Sequence, residues 1–138
     1  MTKKERSKTK FGVYMPDELV KDLELCMKTT GIKSKSKLIQ EALRLFITEH
    51  RWRLAGRAVG IIGVVYNHDV GHVDEELTDL QHEFLDIVIS AVHVHLDKEK
   101  CMLAIIVRGD TERIKKLLNS IMGLRGVLIA RPLLLEAH

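Results

Sequence analysis

The stretch "KFGVYMPDEL", Lys10 to Leu19, constrains this chain more than any other. Phe11, Val13 and Met15 alternate with Lys10, Gly12 and Tyr14, the period of two that marks a short strand with one apolar face. Pro16 ends the strand and suits the first turn of a helix. Asp17 and Glu18 then meet the positive end of the helix dipole. Leu19, Leu23, Cys26, Met27 and Thr30 share one helical face, and Gly31 stops the helix. A second helix is predicted within "KSKSKLIQEALRLF", with Ser34 or Ser36 as N-cap. Its apolar residues Leu38, Ile39, Ala42, Leu43, Leu45, Phe46 and Ile47 cover more than half its circumference. A unit of roughly fifty residues is too small to bury that much alone, and a lone strand makes no sheet. Both difficulties vanish if two chains intertwine, pair their strands and share one core.

Charge divides the chain nearby. Residues 1–53 hold 13 Lys/Arg against 7 Asp/Glu, and residues 54–138 hold 9 against 12. A basic first part joined to an acidic second part fits a nucleic-acid module fused to something else. A basic tail that only aids solubility would give the same asymmetry. The whole chain has 138 residues, 46% apolar and 30% charged, the composition of a globular protein with one domain or two small ones. No apolar run approaches the ~18–20 residues of a membrane span. The basic "MTKKERSKTK" leads into no apolar core, so no secretory signal is expected. Cys26 and Cys101 make no disulfide framework, and a reducing cytoplasm is the expected location.

Strand, helix and helix in a basic, obligately dimeric unit resemble a ribbon-helix-helix DNA-binding domain. That resemblance implies that paired strands enter the major groove of double-stranded DNA. The outward residues Lys10, Gly12 and Tyr14 would meet base edges, Lys10 reaching guanine acceptors and Gly12 offering only closeness. Ser34, Lys35 and Ser36 would hold a phosphate at the start of the second helix. Related proteins often carry Arg, Ser or Thr on the strand, which leaves the operator sequence open here.

The expected organisation is a basic arm over 1–9, the ribbon-helix-helix domain over 10–51, a linker over 52–58 and a second domain over 59–138. In the second domain "VGIIGVVYNHD" is β-rich, "VDEELTDLQHEFLDIVIS" reads as a helix, and "AVHVHLD" and "CMLAIIVRG" read as strands. "DTERIKKLLNSIMGL" is a helix capped by Asp110, and "GVLIARPLLL" is a last strand. The order βαββαβ predicts an α+β fold of the ferredoxin-like or ACT-like kind.

His93 and His95 stand two apart on a predicted strand and share one face. Val92, Val94 and Leu96 are expected to face the helices, so that the imidazoles point away from the domain's own core. His82 falls nearly opposite the apolar face of its helix at 100° per residue. It would therefore join His93 and His95 only on a neighbouring chain. Cys101 follows the turn "DKEK". A two-residue turn would put it on the wrong face, and a three-residue loop pairing it with Asp97 would put it on the face of His95. Imidazoles and a thiolate suit late first-row metals, but a His-x-His pair on a strand also arises by chance, and a lone cysteine is often just a small apolar residue. His68 and His72 are expected as exposed loop histidines, His50 and His138 as bystanders.

The conjunction narrows this. A ribbon-helix-helix unit followed by a βαββαβ domain with H-x10-H-V-H-x5-C, and with "VYNHD", "TDLQHEFLD" and "HVHLD", closely resembles the nickel-responsive repressors of the NikR family. The resemblance runs from about Lys10 to Leu135. It implies that His93, His95 and Cys101 of one chain and His82 of another bind Ni(II) in a square plane. It implies a homotetramer, a dimer of dimers in which two DNA-binding units flank a core of ACT-like domains. Nickel would favour the arrangement that fits a palindromic operator, repressing nickel uptake genes. Lys37 departs from the family, which often has an acidic residue there at an interdomain cation site. The alternative is a ribbon-helix-helix regulator sensing a small molecule or another metal. No Gly-rich phosphate loop or Ser–His–Asp or Cys–His catalytic set is present, so an enzyme is not expected.

Overall fold

The computed structural model describes residues 8–137. His138 and most of the basic arm lie outside them. The chain forms two compact units that divide after Leu43.

The first unit holds α1 (Asp17–Thr30) and the opening turns of α2 (Lys35–Arg51). Pro16 occupies the position before α1, and Gly31 closes it in the left-handed region at φ 72°, where a residue without Cβ is unstrained. Ser34 Oγ accepts the Lys37 N–H at 3.2 Å, which makes Ser34 rather than Ser36 the cap of α2. The apolar faces read from the sequence are present and largely uncovered. α1 buries no residue and α2 buries only Leu38, while Leu19, Leu25, Leu43, Leu45, Phe46 and Ile47 are exposed. The expected strand over Phe11–Met15 is not formed, because residues 8–16 carry no regular structure. A strand exists through its ladder, and none of the described residues pairs with this segment.

The second unit is a sheet with helices. A short 3₁₀ turn (Trp52–Leu54) leads into β1 (Arg57–Asn67), then α3 (Val73–Glu83), β2 (Val88–His95), β3 (Lys100–Asp110), α4 (Thr111–Met122) and β4 (Val127–Glu136). Strand order is β2-β3-β1-β4, every neighbour antiparallel, the order two interleaved βαβ crossovers produce. Ala58, Ile62, Val64 and Tyr66 of β1 and Cys101, Leu103, Ile105 and Val107 of β3 face the helices and form the core. Ile114, Leu117, Leu118 and Ile121 of α4 close it from above, with Val73 and Leu77 of α3. Trp52 is buried in the same cluster. Asp110 caps α4 by accepting the N–H groups of Glu112 and Arg113 at 2.9 and 3.2 Å, a contact worth about 1 kcal/mol.

The helix read across Val73–Ser90 is shorter than expected. It ends at Glu83, and β2 begins at Val88. "LDIVIS" satisfies both helical and strand periods, and its β-branched Ile87, Val88 and Ile89 favour extension beside β3.

Candidate metal centre

His93 and His95 come from the end of β2, and Cys101 from the start of β3. His95 pairs directly with Cys101 and His93 with Leu103. This register is neither of the two anticipated. The loop is Asp97–Lys98–Glu99, and the Leu96 N–H closes it by donating to the Lys100 carbonyl at 2.9 Å. Asp97 Oδ1 accepts the N–H groups of Glu99 and Lys100, both at 2.8 Å. Those two donors hold the Asp97 carboxyl below the usual carboxylate range. An Asx turn thus does the work of a turn glycine, and Cys101 lands on the face of His95.

That face is the helix side, which corrects the sequence expectation. Cys101, Leu103, Ile105 and Val107 are buried against the helices, and paired residues of neighbouring strands share a face. His93 and His95 therefore lie on the core side, while Val92, Val94 and Leu96 look out from the open face. Alternation in "AVHVHLD" separates two faces without saying which one the helices cover. β2 is an edge strand, and α4 packs over β1, β3 and β4. The end of β2 stands clear of that cover, so both imidazoles remain exposed while Cys101 is only 1% exposed.

One ligand atom from each of His93, His95 and Cys101 lies within 4.8 Å of the others. His95 Nδ1 is 3.5 Å from Cys101 Sγ, and the two imidazole rings meet edge to face at 4.8 Å. His68, expected as an exposed loop histidine, places Nδ1 3.4 Å from the same sulfur and Nε2 3.2 Å from Asp69. Tyr66 pairs with Cys101 across β1 and β3. Its hydroxyl donates to Asp74 Oδ1 at 2.7 Å and lies 3.0 Å from His93 Nε2. Burial, then Asp74, pushes the Tyr66 phenol well above its ordinary pKa, so it remains a neutral donor. Sequence reasoning missed Tyr66 and Asp74. The only signal was that β1's core-facing parity ends in a tyrosine, whose hydroxyl needs a partner when buried.

His82 is exposed on α3 and does not join the cluster within this chain. His72 lies just before α3. In the first unit Lys10, Gly12 and Tyr14 are exposed, as are Ser34, Lys35 and Ser36. Lys35 Nζ is 3.6 Å from Glu24, and Gln40 donates to Ser36 Oγ at 3.3 Å. Among the described residues no helix is long and apolar enough to cross a membrane.

Two imidazoles and a thiol converging from paired strands form a partial N₂S donor set. Its chemistry fits a borderline-soft late first-row ion and not a hard oxygen-seeking one. The fold and the site together define a metal-binding α+β domain. Residues 59–134 match the family described as "NikR C terminal nickel binding domain". A relative from Dictyoglomus thermophilum is 40% identical over 119 residues, 86% of this chain and 88% of its own. One from Pyrococcus abyssi is 40% identical over 119 residues, 86% of each chain. One from Thermococcus onnurineus is 38% identical over 120 residues, 86% of this chain and 87% of its own. Each bears the name "Putative nickel-responsive regulator". Among solved structures, an uncharacterized Thermotoga maritima protein matches 56% of this chain and 98% of its own, with a TM-score of 0.49 and 19% identity. The chain belongs to the NikR family, and nickel is the ion of its second domain.

Proposed function

We propose that this protein is a nickel-responsive, DNA-binding transcriptional regulator that represses nickel uptake genes. The observation that carries this reading is the convergence of His93, His95 and Cys101 within 4.8 Å, in a domain whose other sheet face is bare and apolar. Ile61, Val92, Val94, Leu96, Leu133 and Leu135 are all exposed, and a soluble protomer rarely leaves so broad an apolar surface uncovered. Packing that face against a second copy, and the uncovered helices of the first unit against another, supports a homotetramer built as a dimer of dimers. His82 of a neighbouring chain would then supply the fourth ligand beside His93, His95 and Cys101. Such a planar N₃S set favours Ni(II) or Cu(II) over Zn(II).

In the paired first units, residues 10–15 of two chains form the ribbon that enters the major groove of double-stranded DNA. Lys10, Gly12 and Tyr14 face the bases, and Ser34, Lys35 and Ser36 hold the backbone. Nickel shifts the protein toward the arrangement that spans both halves of a palindromic operator, and operator DNA tightens nickel by the same factor.

The test is a Ni(II) titration of metal-free protein followed by near-ultraviolet absorption, beside Cys101→Ala, with operator selection in parallel. A thiolate-to-nickel band that saturates at one ion per chain and is lost in Cys101→Ala supports the reading. Nickel-dependent DNA affinity surviving in Cys101→Ala would sink it.

A further inference from the structure

Tyr66 is buried beneath the site, and its single hydroxyl lies 2.7 Å from Asp74 Oδ1 and 3.0 Å from His93 Nε2, with the Cys101 thiol also against it. The hydroxyl carries one proton. A carboxylate can only accept, so that proton points at Asp74. The phenol oxygen is then left to accept, and the imidazole nitrogen 3.0 Å away must donate. His93 Nε2 therefore bears the ring hydrogen. A neutral imidazole has only one N–H, so the lone pair sits on Nδ1. A metal binds the nitrogen that carries the lone pair.

We infer that Asp74, Tyr66 and His93 form a proton-ordered relay that fixes His93 as its Nε2–H tautomer and leaves Nδ1 as its ligand atom. Tyr66 and Asp74 are positioning residues for the nickel site. The inference rests on the reading of His93 as a ligand and adds which atom is used and what selects it. It also has a mechanical side. Asp74 lies in the first turn of α3, the helix that carries His82 in its last turn. An ion on Nδ1 draws electron density from the ring and makes Nε2–H a stronger donor. The Tyr66 oxygen is gripped harder, and through it so is Asp74. Nickel binding on β2 thus tightens the start of the helix that presents the fourth ligand to a neighbour.

The experiment uses the full-length chain, metal-free and nickel-loaded. Ring ¹⁵N shifts of His93 are measured in the wild type, Tyr66→Phe and Asp74→Ala. In the metal-free wild type, Nε2 should show the protonated shift and Nδ1 the lone-pair shift. Tyr66→Phe removes the acceptor, and His93 becomes a mixture of tautomers. Nickel affinity then falls by about 10–100-fold, the usual effect of losing a ligand's hydrogen-bond partner. Asp74→Ala leaves the Tyr66 proton without its acceptor. The hydroxyl turns to donate to His93, and the Nδ1–H form comes to predominate. A purely structural role for either residue would lower stability without inverting the tautomer.

A wild-type ring already protonated at Nδ1, or an unchanged tautomer in Asp74→Ala, overturns the relay. Nickel that binds without shifting His93 Nδ1 overturns the ligand-atom assignment. Wild-type protein that binds no nickel at all refutes the functional reading instead, and the metal-free tautomer remains an independent test of the relay. Since the wild-type and Asp74→Ala spectra suffice, the result does not depend on Tyr66→Phe folding.

Discussion

His95 and Cys101 face each other as directly paired residues of β2 and β3, with Nδ1 3.5 Å from Sγ. Their spacing is therefore set by the backbone ladder more than by the choice of rotamer. A loop that lengthens or slips changes the donor set at once, because a one-residue slip in register moves each side chain to the opposite face.

Asp97 is the residue that holds this register. Replacing it with alanine removes the acceptor for the Glu99 and Lys100 N–H groups. Asp97→Ala should speed hydrogen exchange at those two amides and weaken nickel by a factor on the order of ten. Unchanged exchange at both positions would show that the β2–β3 ladder alone sets the loop.

If the ligand set is shared between chains, two defective variants can rescue each other. His82→Ala and Cys101→Ala should each lose the nickel absorption band alone. Unfolded and refolded together in equal amounts, they should regain about one site in four, from chains that happen to pair intact halves. No recovery would mean that His82 is not contributed by a neighbour.

The bare sheet face gives a prediction about assembly. Leu133 is 64% exposed on β4 and pairs with Ile61 of β1 on that face. If the protein assembles as the proposed tetramer, Leu133→Glu should leave protomer stability within about 0.5 kcal/mol, as surface changes do, yet reduce the assembly to dimers by light scattering. A persisting tetramer would place the subunit contact elsewhere.

Acid should act through Asp86 and Arg113, whose guanidinium donates to both carboxylate oxygens at 2.9 and 2.8 Å. That hydrogen bonding holds the Asp86 carboxyl below its ordinary range. A carboxyl lowered on folding contributes its stability above the unfolded pKa and loses it as pH falls through the folded one. Asp86→Asn should be less stable than wild type near neutrality, and the gap should close in acid. A gap that stays constant with pH, measured by thermal melting, would contradict this.

Trp52 lies 1% exposed in the core, and its Nε1 has no hydrogen-bond partner among the described residues. Trp52→Ala should cost about 3–5 kcal/mol. Trp52→Phe should cost much less, since it removes the unpartnered N–H while keeping an aromatic ring. Chemical denaturation of both variants checks the order.

The elements that could be read from sequence were those with local causes. Pro16 and Gly31 bracket α1, Asp110 opens α4, and the βαββαβ order follows from alternating periods. What could not be read depended on partners outside the segment itself. Phe11, Val13 and Met15 show strand spacing, but among the described residues of one chain no strand pairs with them. The side taken by His93 and His95 is not legible in the sequence because this sheet is apolar on both faces, Val92 and Val94 on one and Leu103 and Ile105 on the other. Only the strand order decides which side the helices take. Tyr66 and Asp74 are eight residues apart in sequence but meet through a strand and a helix turn, so no short motif marks them.

The burial of Cys101 beside the exposure of Cys26 has a consequence for oxidants and alkylating reagents. In a single chain a reagent in solution reaches Cys26 by simple collision. It reaches Cys101 only when the β2–β3 hairpin opens, so this thiol reacts at the pace of local unfolding. Nickel held by His93, His95 and Cys101, as proposed, would join the two strands and slow that opening further. The sulfur proposed to bind the ion is thereby shielded from oxidation by the same strand pairing that aims it.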